Sequence, residues 1–352
     1  MNNTSVLIVE QLNPGMIVAE DVYDNRGHLI ISHELAISEK MIMRLKLFSI
    51  ERVKVYEPEG MSGKETGKGH LAESLEFQEF KQKYVKNVDE FKDTINDIVY
   101  GNEPLDQNML LSNINEFVQE SPSRSQLFYM LRSLKEYDHT VYTHSYNVAI
   151  ICKMFGIWLN KSLDDIEALT MAGLLHDIGK LAVLERMTGK ETKEEREILM
   201  RSHTLRGYEV LKNKKIDERI KLVALEHHER RNGSGYLRGL KGNEMSEFSQ
   251  IVAIADIYDK MTASGKIART APMYVFEYFK KEGYDLFESR FLLPFIEKTV
   301  ETYLHNKVTL TNGVEGEIIM LNPQEKSRPL VRTPYGFIDL NTERNLEIKE
   351  IL

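Results

Sequence analysis

His227-His228-Glu229, followed by Asn232-Gly233-Ser234-Gly235-Tyr236, is the stretch whose reading decides the fold. Adjacent histidines on a helix point about 100° apart and so seldom share a packing role. Both reach one centre when that centre is larger than a single ion. A second signal lies upstream in Leu175-His176-Asp177-Ile178-Gly179-Lys180. There an imidazole and a carboxylate stand side by side and can bridge two cations. Two such signals in one helical region point to a multinuclear metal site.

The bulk numbers fit that reading. At 352 residues the chain can bury a sizeable core and has room for more than one domain. Hydrophobic content is 42% and charged content 28%, ordinary for a soluble protein. A formal net charge of −8 speaks against coating nucleic acid polymer. It leaves room for a small anionic ligand, which needs only local positive charge. The single Cys152 excludes an intrachain disulfide and fits a reducing compartment. Met1-Asn2-Asn3-Thr4 lacks the regions of a signal peptide. The apolar run from Val148 to Leu159 is broken by Lys153 and too short to span a bilayer. The expectation is a soluble cytoplasmic protein that does not enter a membrane.

The expected architecture is mainly α: a helical bundle with a small N-terminal α+β domain and a short β-rich C-terminal tail. Residues 1–56 form the α+β domain. Within it Gly15–Tyr23 reads as a strand, Asp24–Gly27 as a hairpin turn and His28–Ile31 as the return strand. Ser38 caps a helix running to Leu47, and Val53–Val55 is a further strand. Ser5–Glu10 looks like the first strand of a phosphoacceptor receiver domain, but no acidic pair follows it. Residues 57–70 are glycine-rich and polar, a flexible linker. Residues 71–124 are connecting helices. In them Phe77, Phe80, Tyr84, Val88, Phe91, Ile95 and Ile98 recur at helical spacing. That face either packs on the next domain or serves as a dimerising, signal-carrying helix. Residues 125–305 are helical almost throughout. Thr192 with Glu195 makes a capping box for the helix carrying His203. Asp217 caps the helix ending in His227-His228, and Ser246 the one with Asp256 and Asp259. Residues 306–352 alternate with turn residues, giving strands at Val308–Leu310, Gly316–Met320 and Leu330–Arg332.

The candidate metal ligands are His144, His176, Asp177, His203, His227, His228 and Asp256, each near the middle or end of a predicted helix. A helical bundle builds such a site from side chains converging on its interior. This set would serve two transition-metal ions with Asp177 bridging. Imidazole and carboxylate donors without thiolate suit iron, manganese, nickel, cobalt or zinc. Among the other histidines, His28, His33, His70 and His305 read as ordinary core or surface residues.

From about Tyr137 to Gly316 the chain resembles the HD-GYP family, the branch of the HD phosphohydrolases that degrades cyclic di-GMP. The matching elements are Thr143-His144-Ser145, His176-Asp177-Ile178-Gly179-Lys180, Ser202-His203 with Gly207, His227-His228-Glu229 with Gly233-Ser234-Gly235-Tyr236, and Ile254-Ala255-Asp256-Ile257-Tyr258-Asp259. Val308–Gly316 looks like the end of that domain, and Leu12-Asn13-Pro14-Gly15-Met16 resembles a small domain often placed before it. Two departures stand in the loop: Leu237 follows Tyr236 where the family has proline, and Asn232 replaces an aspartate.

The resemblance implies a cyclic-di-GMP phosphodiesterase of bacterial signalling. A hydroxide bridging two divalent ions, iron or manganese first, would open cyclic di-GMP to pGpG, with any GMP as a slower second product. Catalytic roles fall to Asp177 and to Lys180, which reaches toward the phosphate. Lys266 and Arg269 match a basic pair that binds substrate phosphate, one residue later than usual. Gly235 and Tyr236 border the substrate, while Tyr258 and Asp259 support the site. Some members hold a third ion through a glutamate one turn before the first histidine. Here that turn is Asp138-His139-Thr140-Val141, without a glutamate, so a standard third site is not expected unless His139 or Asp138 substitutes. Implied partners are cyclic di-GMP, a GGDEF-domain protein, and a second copy through residues 71–124. The competing readings are a catalytically weak module that senses the nucleotide or docks a GGDEF partner, and a phosphodiesterase for another cyclic dinucleotide.

Overall fold

The computed structural model describes residues 4–9, 12, 16–23, 29–31, 37, 41–42, 45, 50, 52–56, 75–101, 103–121, 127–128, 130–131, 134, 140–263 and 272–351. It divides into two compact units, Met1–Thr66 and Gly67–Leu352.

In the first unit, β1 (Thr4–Ile8) pairs antiparallel with a strand at Arg52–Tyr56, Thr4 opposite Tyr56. Two short strands, β2 (Val22–Tyr23) and β3 (Leu29–Ile31), form a second ladder. The Arg52–Tyr56 strand, β4, buries Val53 and Val55 at period two, as a half-buried strand must. These valines meet Val9, Val18, Ile30, Ile31 and Leu45 in a core of their own. The strand expected over Gly15–Tyr23 is shorter. Only Val22–Tyr23 joins a ladder, and Val18 makes an isolated bridge to Val55. Residues 24–27, Ser38 and the segment 57–70 lie outside the described residues.

The second unit is built on helices. The long α1 (Leu75–Tyr100) buries Phe77, Phe80, Tyr84, Val88, Phe91, Ile95 and Ile98, the face read from the sequence. α2 (Gln107–Gln119) is capped by Asp106, whose side chain accepts from the backbone of Asn108 and Met109. α3 (Val141–Trp158) is apolar on nearly every face, as a central helix must be. α4 (Leu163–Leu175) packs along it. Tyr84 and Phe91 of α1 stack against Tyr146 and Tyr142 of α3, with Phe117 of α2 completing the cluster. The polar tips are satisfied across the same interface: Tyr84 Oη donates to Asn147 Oδ1 at 2.8 Å and Tyr142 Oη to Asn96 Oδ1 at 2.7 Å. α1 is thus packed along the helix that carries His144.

α5 (Gly179–Leu184), α6 (Lys193–Arg201), α7 (His203–Leu211), α8 (Glu218–Glu226) and α9 (Glu247–Ala263) follow. The three expected caps form. Thr192 and Glu195 exchange bonds at the start of α6, Asp217 accepts from Arg219 N, and Ser246 accepts from Ser249 N. The capping box does not open the helix of His203, however. α6 stops at Arg201, and His203 begins a separate helix after Ser202. α10 (Pro272–Tyr278) runs through a π-helical turn at Phe279–Gly283 toward α11 (Ser289–Glu301).

The chain ends in a five-stranded antiparallel sheet. Its strands are β5 (Lys307–Leu310), β6 (Glu315–Met320), β7 (Leu330–Thr333), β8 (Gly336–Asp339) and β9 (Ile348–Ile351), in the order β8-β7-β6-β5-β9. Val308, Leu310, Ile318, Val331 and Ile351 join the same apolar core as the helices. Among the described residues no helix is long and apolar enough to cross a membrane.

Candidate metal centre

Seven side chains converge in the second unit: His144, His176, Asp177 and Asp256 in one group, and Asp177, His203, His227 and His228 in the other. Helix ends deliver most of them. His144 lies in the first turn of α3, His176 caps the C-terminus of α4, His203 opens α7 and His227 caps the end of α8. Asp256 alone sits inside a helix, α9. Asp177 follows His176 in the turn into α5. Gly179 explains why that turn can reach α7. A Cβ there would stand 2.0 Å from the His203 carbonyl oxygen and 2.3 Å from Gly207 N, so the two backbones touch.

Asp177 divides its two oxygens between the groups. Its Oδ1 lies 3.2 Å from His203 Nε2 and 3.4 Å from His227 Nε2. Its Oδ2 lies 3.4 Å from His144 Nε2 and 3.3 Å from His176 Nε2. Asp256 Oδ1 joins the second set, 3.0 Å from His144 Nε2 and 3.5 Å from His176 Nε2. The opposite ring nitrogens are tied down. His176 Nδ1 donates to the Gly173 carbonyl at 2.7 Å, His227 Nδ1 to that of Val223 at 3.0 Å, and His203 Nδ1 to that of Met200. His144 Nδ1 donates to Asp259 Oδ2 at 2.7 Å. A proton held on Nδ1 frees the lone pair of Nε2 once the ring is neutral, so all four rings can turn an acceptor inward toward an ion.

That arrangement fits a cation. His203 Nε2 and His227 Nε2 lie 3.2 Å apart with lone pairs facing, which is repulsive unless something positive sits between them. His176 Nε2 and Asp177 Oδ1 are buried without a hydrogen-bond partner. Buried polar atoms are rarely left so, and a missing ion is one of the standard reasons. The protonation balance agrees. Burial pushes His227 down to about 3 and drives His228 lower still. Burial also opposes the charge of His144, but Asp177, Asp256 and Asp259 outweigh it and lift that histidine to about 10. Against the cost of burial, His176 and Lys180 hold Asp177 ionised, and Lys260 with His144 does the same for Asp256. The set is thus two ionised carboxylates with His227 and His228 neutral and His144 holding a proton that an ion would displace, donors for a divalent transition metal.

Around the rim, Lys180 Nζ donates to Asp177 Oδ2. Glu229, buried, clamps the glycine loop by accepting from Arg238 N at 2.6 Å and Leu240 N at 2.9 Å. A Cβ on Gly235 would meet Glu229 Cα at 2.4 Å, so the loop lies directly on the end of the histidine turn. Tyr236 consequently stacks on His228, ring centroids 4.7 Å apart, with Arg201 over its ring at 5.2 Å. The Tyr236–Leu237 peptide is cis. Thr140 serves as the N-cap of α3, accepting from Thr143 N. Lys266, Arg269, Asp138 and His139 lie outside the described residues. Sequence reasoning missed Lys260, which donates to Asp256 at 2.8 Å, and Arg201. The i,i+4 spacing of Asp256 and Lys260 on one helix was the available signal.

The helices thus bring together two histidine–carboxylate groups that share one aspartate. Residues 110–282 match the family model of the HD domain. This segment, just under half of the chain, is similar to HD domains. The chain is 32% identical over 161 residues to RpfG of Xanthomonas campestris pv. campestris, a cyclic di-GMP phosphodiesterase response regulator; the match covers 44% of this chain and 42% of that protein. It is 34% identical over 123 residues to the 3'3'-cGAMP-specific phosphodiesterase 1 of Vibrio cholerae, covering 34% of this chain and 28% of that one. The chain therefore spans less than half the length of either relative. A structure of Bd1817, an HDG"Y"P protein of Bdellovibrio bacteriovorus, superposes with a TM-score of 0.52 at 14% identity, over 84% of this chain and 99% of that one, and shares the fold.

Proposed function

We propose that the chain hydrolyses cyclic di-GMP to linear pGpG, using two divalent transition-metal ions, iron or manganese, held by His144, His176, Asp177, His203, His227, His228 and Asp256. One observation carries the reading: each oxygen of Asp177 faces its own pair of imidazole nitrogens. The similarity to a cyclic di-GMP phosphodiesterase supports the substrate. When bound, the ions supply an activated water at neutral pH and neutralise charge on the phosphoryl oxygens.

The chain's own groups do the rest. Asp177, fully buried and ionised, orients both halves of the centre. Lys180 steadies Asp177 Oδ2 from the solvent side, and its 15% exposure leaves N–H donors free to reach a phosphoryl oxygen as charge develops there. Tyr236 and Gly235 form one wall beside His228 and exclude water from that side. Lys266 and Arg269 contact the phosphate from the chain beyond α9. The turn before His144 brings no glutamate, so pGpG should accumulate rather than pass quickly to GMP. The buried, solitary Cys152 accords with a cytoplasmic location. A GGDEF-domain protein and a second copy of the chain through residues 71–124 are the partners this reading carries with it.

Similarity to a 3'3'-cGAMP-specific enzyme favours a second reading, hydrolysis of a mixed cyclic dinucleotide by the same centre. A panel of cyclic dinucleotides incubated with iron- or manganese-loaded protein and resolved by chromatography tests both. The expected result is cyclic di-GMP consumed fastest with pGpG building up. No turnover of any cyclic dinucleotide by fully loaded protein would overturn the proposal.

A further inference from the structure

Asp256 faces two ways. Its Oδ1 points to His144 and His176, the donors of one metal group. Both its oxygens also lie 2.8 Å from the ammonium of Lys260, one turn further along α9. Asp256 is wholly buried, whereas the Lys260 side chain is 38% exposed. The lysine therefore runs from the buried carboxylate out to solvent. Its charge is felt by Asp177, Tyr236 and His228 as well.

A charged lysine has no lone pair with which to ligate an ion, and a cation beside dications is repelled. Asp256 alone does not offset that repulsion once its Oδ1 is shared with a metal. An anion joining the lysine and the metal would. A phosphodiester brings such oxygens, and an ammonium with three N–H donors can keep Asp256 Oδ2 and take one of them. Two lysines then frame the centre in parallel, Lys180 on Asp177 and Lys260 on Asp256.

We propose that Lys260 is a substrate-binding residue that contacts a phosphoryl oxygen of the bound phosphodiester while remaining anchored to Asp256. The assignment rests on the phosphodiesterase reading above. Inorganic phosphate titrated calorimetrically into metal-loaded full-length chain tests it, comparing wild type with Lys260→Met and Lys260→Arg, with metal content measured alongside. Lys260→Met should keep its metal, bind phosphate about tenfold more weakly, and raise KM for cyclic di-GMP more than it lowers kcat. Lys260→Arg should recover most of the affinity, and the difference should shrink as salt rises. Unchanged phosphate affinity and KM in Lys260→Met, or a loss of affinity that follows loss of metal, would overturn the assignment. If wild type hydrolyses no cyclic dinucleotide while Lys260→Met still weakens phosphate binding with metal intact, the hydrolytic reading fails and Lys260 stands as a phosphate contact.

Discussion

His144 carries the centre's largest protonation conflict. Its Nε2 is aimed at Asp256 and Asp177, yet the metal-free residue is lifted to about 10 and so is an imidazolium at neutral pH. Ligation needs that nitrogen bare. Metal binding at pH 8 should therefore expel at least one proton, and apparent affinity should rise with pH until about 10. His227, already neutral because it is pushed down to about 3, should add no proton to that release. Calorimetry in two buffers of different ionisation enthalpy measures the release directly, and heats independent of buffer would refute it. Asp177→Ala makes the complementary case. It removes the one carboxylate both groups share, so metal content should fall toward zero and turnover by about 1,000-fold or more. Retained metal in that variant would mean the two groups do not depend on each other. The ligands were legible because His-Asp, His-His and the aspartate of α9 are local motifs. Lys260 was not. Its importance comes from the direction its side chain takes off α9, toward Asp256 rather than away, and composition carries no trace of that.

At the scale of elements, the centre depends on helix ends meeting. The contact of α5 with α7 is made through Gly179 and Gly207, backbone against backbone. In Gly179→Ala the added carbon meets a carbonyl oxygen at 2.0 Å, which no side-chain rotation relieves. Parting the two helices should cost about 1–3 kcal/mol, and for a unit of this size lower the melting temperature by several degrees, ~2–4 °C per kcal/mol. Asp177 and His203 stand on opposite sides of that contact, so metal content should drop as well. Calorimetric melting with elemental analysis checks both; a variant that melts and loads like wild type would show the backbones can separate freely. The break between α6 and α7 at Ser202 was invisible in the sequence because residues 193–211 keep a helical pattern on both sides of it. At the break Ser202 Oγ donates to the Leu199 carbonyl and His203 Nδ1 to that of Met200. Strands β8 and β9 escaped for a different reason. Phe337 on β8 is exposed and β9 places Lys349 and Glu350 between its buried isoleucines, so neither reads as a run of apolar alternation.

For the whole molecule, the question is how much of the chain the centre needs. Residues 4–56 close a core of their own, built on Val18, Ile31, Val53 and Val55. Every ligand, the glycine loop and the sheet belong to the unit that begins at Gly67. A chain of residues 67–352 should therefore fold, take up metal at the full-length stoichiometry and keep hydrolytic activity within a few fold. Cutting further, to residues 102–352, should not be tolerated. That cut strips α1, whose Phe77, Phe80, Tyr84, Val88, Phe91, Ile95 and Ile98 are each less than a tenth exposed. Burying a large apolar side chain is worth roughly 1.5–3 kcal/mol, so losing the set rivals the ~5–15 kcal/mol by which a whole domain is stable. The surface laid bare includes Tyr142 and Tyr146, which stand two residues either side of His144 on α3 and whose hydroxyls pair with Asn96 and Asn87 of α1. The helix read from the sequence as a packing or signalling element is on this account part of what holds the first metal ligand in place. Circular dichroism and metal analysis of the two truncations decide it: a 102–352 chain that stays helical, melts cooperatively and binds its full metal would show that α1 is dispensable and leave its apolar face available for another partner.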